Sequence, residues 1–108
     1  MTNEALLVQL DYTPTDSSLT QVDNIKANTS GFDYVMKHII TLQDQLKAHF
    51  CFVALSSTKD YLKIKNVAST AQRVDEVNEI IQKWSKKYKI NLEKVDGKET
   101  YYVLGYES

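Results

Sequence analysis

Rings and ammonium groups crowd the strand-like segments of this sequence, and the chemistry they suggest is binding. Tyr61, Lys63 and Lys65 alternate with Leu62 and Ile64, and Tyr101, Tyr102 and Tyr106 share the last strand-like segment. Period two puts Tyr102, Leu104 and Tyr106 on one face and Tyr101 and Val103 on the other. A sheet face carrying Tyr12, Tyr61 and Tyr101 beside Lys63 and Lys65 would stack unpaired bases on its rings and meet phosphates with its lysines. The same rings would suit a protein interface, where aromatics are enriched. Strand propensity alone also favours tyrosine. Two absences count against nucleic acid: Leu6 to Leu10 has no central aromatic, and Tyr61 to Ile64 lacks the Gly-Phe pattern of the common RNA-recognition sheet.

Catalytic and metal-binding residues are sparse. His38 and His49 are separated by three helical turns, about 16 Å on one helix, too far to share a metal. Cys51 lies in an apolar run, where a thiol is inert core. His49, two residues earlier, would share its face and leaves a weak nucleophile pair. Asp11 before Thr13-Pro14 reads as a turn residue. Ser56-Ser57-Thr58 reads as a solvated turn, since no glycine stands there to cradle a phosphate. Trp84 fits a helix core stripe. The lysines late in the second long helix complement its dipole. No cofactor and no metal site is expected.

Composition narrows the classes further. The 108 residues carry 13 Lys+Arg against 14 Asp+Glu, so no global charge draws the chain to nucleic acid or acidic lipid. Arg73 is the one arginine, which disfavours bidentate reading of phosphates or guanines. The single cysteine excludes an internal disulfide. Neither a long apolar run nor a signal-peptide pattern is present, so a cytoplasmic protein without membrane association is expected.

These residues need elements to hold them. Ala5 to Tyr12 alternates and reads as a strand. Residues 15 to 30 are polar; Ser18 and Gln21 have capping-box spacing, and Leu19, Val22 and Ile25 could line a short helix. A helix is expected over 31–48, capped by Ser30, with Phe32, Val35, Met36, Ile39, Leu42 and Leu46 as its stripe. Phe50 to Leu55 reads as a central strand buried on both faces, and Tyr61 to Val67 as its hairpin partner. A second helix is expected over 70–87, capped by Ser69 with Gln72, its stripe running from Val74 to Tyr88. Ile90 to Val95 and Glu99 to Tyr106 flank Asp96-Gly97, a strong hairpin signal.

The order suggests one α+β domain over 1–108: two helices packed on one face of an antiparallel sheet, a ferredoxin-like βαββαβ with a C-terminal hairpin. An architecture licenses no activity. The leading expectation is a small non-enzymatic protein-interaction module that forms a homodimer through its sheet face or an edge strand, or binds a protein partner. The alternative is a binder of single-stranded nucleic acid through Tyr61, Lys63, Lys65 and Tyr101. A third reading is an enzyme that assembles Asp11, His49 and Cys51 in space.

Overall fold

The computed structural model describes residues 2–56 and 58–107. Four helices and four strands follow in the order α1 (Asn3–Gln9), α2 (Asp16–Asn28), α3 (Phe32–Lys47), β1 (Phe52–Leu55), β2 (Leu62–Lys65), α4 (Ala71–Tyr88), β3 (Ile90–Lys94) and β4 (Thr100–Tyr106). The strands form one antiparallel sheet in the order β1-β2-β4-β3. The chain is α+β, as its sequence suggests. It lacks a first strand, so the ferredoxin-like βαββαβ order does not form, and four helices replace the expected two.

The strand expected at Ala5 to Tyr12 is a helix for a local reason. Leu6, Leu7 and Leu10 are buried while Val8 is exposed, which is helical spacing rather than period two. Thr2 caps the helix by accepting from the Ala5 N–H at 3.1 Å, and Glu4 sits in the first turn. Asp11 ends it with φ 66°, a left-handed position that Asp tolerates better than most residues.

Residues 15 to 30 resolve into α2 by the stripe noted above: Val22 and Ile25 are buried. The capping box lies one turn earlier than Ser18 and Gln21. Thr15 and Ser18 cap each other's backbone N–H groups. Gln21 instead reaches the carbonyl of Ser56.

Helices α3 and α4 stand where their apolar periodicity places them, with different caps. Gly31, at φ 63°, precedes α3 and offers no side chain. Thr70 rather than Ser69 caps α4, accepting from the Arg73 N–H at 3.2 Å. The Ser30 backbone is committed elsewhere: its carbonyl accepts from the Tyr106 N–H at 2.7 Å, and it bridges to Gly105 in parallel.

One core joins Leu6, Leu7, Val22, Ile25, Ile39, Leu42, Ile81 and Trp84 of the helices to the inward row of the sheet, Val53, Leu55, Leu62, Ile64, Tyr101, Val103 and Ile90. Strand β1 lies at an edge of the sheet, not at its centre. The apolar run from Phe50 misleads because Phe50 is the turn residue leaving α3, at φ 61° and 79% exposed. The hairpin at Asp96-Gly97 forms as expected, with Gly97 at φ 73°. No helix among the described residues is long and apolar enough to cross a membrane.

Candidate nucleic-acid interface

The outward row of the sheet follows from its register. Phe52 stands opposite Lys65 and Ala54 opposite Lys63. Lys63 stands opposite Tyr102 and Lys65 opposite Thr100. Tyr102 in turn stands opposite Glu93 of β3. Tyr61, just before β2, falls in the same row, with its ring centroid 6.1 Å from that of Tyr102.

Cations stand against these rings. Lys59 Nζ lies 5.1 Å from the centre of Tyr102, and Lys65 Nζ lies 5.9 Å from that of Phe52. Lys59 meets Glu93, the acid of this patch, at 4.0 Å. No ion pair among the described residues involves Lys63 or Lys65. The Tyr102 hydroxyl is held below its usual pKa by hydrogen bonds from Thr58 and Ser56, with Lys59 and Lys63 adding to the effect. The arrangement is a half-exposed pair of rings set among three lysines.

Three of the four residues singled out in the sequence meet here: Tyr61, Lys63 and Lys65. Tyr101 does not. It faces the helices, 5% exposed, and its hydroxyl donates to Asn78 Oδ1 at 3.1 Å. Asn78 is fixed in turn by Asn66 and Glu99. The separation of Tyr101 from Tyr102 by period two holds, but the faces are exchanged. Tyr102, Phe52 and Lys59 complete the patch and were missed. Each row carries one branched apolar residue, Val103 beside Tyr101 and Leu104 beside Tyr102, so the local pattern does not choose the buried row. Tyr12 is also absent from this face; its hydroxyl accepts from the Leu55 N–H at 3.1 Å.

That hydrogen bond bears on the sheet edge. The outward N–H groups of β1 are those of Val53 and Leu55. The buried Gln43 side chain accepts from Val53 at 2.7 Å, and Tyr12 accepts from Leu55. Both donors that a second strand would need are taken. At the other edge, β3 exposes Glu93 and Lys94 and carries a register shift at Asn91/Leu92, all of which oppose strand addition.

The catalytic candidates do not assemble. Cys51 is buried, its thiol reaching the carbonyl of His49 at 3.5 Å and Asn66 Oδ1 at 3.7 Å. Asp11 pairs with Lys47 at 3.2 Å. His38 stacks on Tyr88 with centroids 3.8 Å apart; burial, then Lys37 and Lys87, pull its pKa below the usual value. Ser56 and Thr58 share a hydroxyl contact at 3.3 Å, while Ser57 lies outside the described residues. Trp84 is core, and its indole N–H donates to the His38 carbonyl. Of the late lysines, Lys83 pairs with Glu79 at 2.8 Å and Lys87 lies over Tyr88. No group of three His, Cys, Asp or Glu stands together among the described residues.

Residues 25–95, about two thirds of the chain, match the family model described as the first type I KH domain of PARP14. The chain belongs to this family. No curated protein and no solved structure matches it. KH modules clamp a nucleotide backbone with a Gly-X-X-Gly loop. Within the matched residues of this KH-family chain Gly31 is the only glycine, so that tetrad is incomplete. Gly31 lies in the short connection, 29–31, between α2 and α3. This loop is also occupied. Thr29 is buried, Ser30 is bridged to Gly105, and Gly31 packs against Tyr106. The open face of the sheet is therefore the better-built surface of this KH-family chain.

Proposed function

We propose that this KH-family chain binds single-stranded nucleic acid on the open face of its sheet, without catalysis. The observation that carries the reading is the placing of Tyr61 and Tyr102 among Lys59, Lys63 and Lys65, with two of the three lysines free of ion pairs among the described residues. Bases would stack on the rings and phosphates would lie on the lysines, a sequence-tolerant mode. Family membership supports the same reading, since KH modules bind single strands. The incomplete glycine tetrad moves the expected binding from the helical loop to the sheet.

Self-association fits the same surface less well. Both sheet edges oppose strand addition, as described above. A two-fold axis through the open face would pack the patch of Lys59, Lys63 and Lys65 against a second copy of the same patch, and like charges across an interface are costly.

Fluorescence anisotropy of labelled RNA and DNA oligonucleotides, titrated with salt, tests the proposal. Affinity should fall linearly in log salt. The double variant Lys63→Glu, Lys65→Glu should weaken binding and reduce the slope by about 1–2, since each phosphate neutralised on a single strand adds about 0.7 to it. An affinity and slope unchanged in the double variant would remove the lysines from the interface. No binding by the wild-type chain at micromolar protein would overturn the reading.

A further inference from the structure

Beyond the edge of the lysine patch lies a notch that the sheet face does not explain. Phe50 and Val67 are exposed by 79% and 50%. Phe50 holds φ 61°, a conformation that bulky side chains rarely adopt. Packing does not ask for a ring there, and glycine would sit in that backbone without strain. A strained aromatic held out into water suggests a contact made in function. A cavity of about 230 Å³ opens beside it, lined by His49, Phe50, Val67 and Arg73. His49 and Arg73 also line the adjoining cleft at the start of α4. No ion pair among the described residues involves Arg73. The nearby acid, Glu76, accepts from Gln72 at 3.5 Å. Phe52, under Lys65 on the sheet face, stands two residues along the chain from Phe50.

We propose that a single strand lying on the sheet continues past Phe52 into this notch, where a base stacks on Phe50 and the adjoining phosphate meets Arg73 and His49. The inference rests on the sheet-face reading and adds a second subsite to it. Charge complementarity selects the occupant: an exposed ring flanked by a guanidinium and an imidazole matches the alternation of base and phosphate. Arg73 is the chain's one arginine, and a guanidinium fork can take two oxygens of one phosphate.

Anisotropy with oligonucleotides of increasing length separates the two subsites. Phe50→Ala should lower affinity for long oligonucleotides by about tenfold and leave short ones, which fill only the sheet face, unchanged. Phe50→Gly should do the same while relaxing the backbone, so misfolding would not account for the loss; the melting temperatures of both variants check this. Arg73→Gln should weaken only the long oligonucleotides. If the Phe50 variants bind every length as the wild type does, while Lys63→Glu, Lys65→Glu weakens binding, the notch is overturned and the sheet face stands. An equal loss at all lengths also overturns the notch. If the wild-type chain binds no oligonucleotide, the sheet-face reading falls and the notch falls with it.

Discussion

Two adjacent tyrosines in β4 have opposite duties. Tyr101 points into the core and is tied by its hydroxyl to Asn78, whereas Tyr102 points out beside Tyr61 and Lys59. Truncating a buried aromatic removes both its transfer energy and its packing. Tyr101→Ala should therefore cost roughly 3–5 kcal/mol, read by urea unfolding. Tyr102→Ala should change stability by less than about 1 kcal/mol and lower oligonucleotide affinity by about tenfold. The opposite assignment of effects would show that the two faces have been exchanged. His38 teaches a related lesson. Its ring is spent on Tyr34 and Tyr88, and its depressed pKa follows from burial and the lysines beside it rather than from a catalytic partner.

Among the elements, β1 is protected in an unusual way. An edge strand normally leaves alternate N–H groups free to pair with another chain. Here Gln43 from α3 and Tyr12, just after α1, accept from Val53 and Leu55. Gln43 is buried at 2% exposure, so its polar group is there for this bond. Gln43→Leu should destabilise by about 1–3 kcal/mol, because the Val53 N–H loses its partner. Combining it with Tyr12→Phe frees both donors. The double variant should self-associate in sedimentation velocity at concentrations where the wild type does not. If it stays as monodisperse as the wild type, the side-chain caps are not what closes this edge. The elements themselves were mostly legible. The long helices α3 and α4, the β1–β2 hairpin and the Asp96-Gly97 turn follow from periodicity and turn chemistry. Helix α1 was misread because Leu6-Leu7-Val8 satisfies both periods over so short a stretch.

On the scale of the whole molecule, one close approach ties the helices to the sheet. Strand β2 begins at Leu62, opposite Val103, and two residues farther along β4 the Ser30 backbone bridges to Gly105. A Cβ at Gly105 would stand 2.7 Å from the Ser30 nitrogen and 2.8 Å from its carbonyl oxygen, at φ 141°. Gly105→Ala should cost roughly 2–4 kcal/mol through strain and overpacking, seen as a lower melting temperature. A variant as stable as the wild type would mean that the α2–α3 loop is not anchored there. The same anchoring commits the Ser30 backbone of that loop to the fold.

The sequence by itself determined the class of the fold, the two long helices, both hairpins and the outward pair Lys63 and Lys65. Each of these rests on spacing along a few neighbouring residues, and such spacing is local physics. Tertiary structure alone decided the rest. Period two can divide Tyr101 from Tyr102, but only the helices packed on the sheet choose which row is dry. Likewise, only the strand order makes β1 an edge, and only that edge gives Gln43 and Tyr12 something to cap. The patch of Phe52, Tyr61, Tyr102 and lysines draws on three segments whose register depends on pairing between residues far apart in the chain. No local pattern encodes such long-range pairing, so the candidate site became legible only when the sheet was assembled.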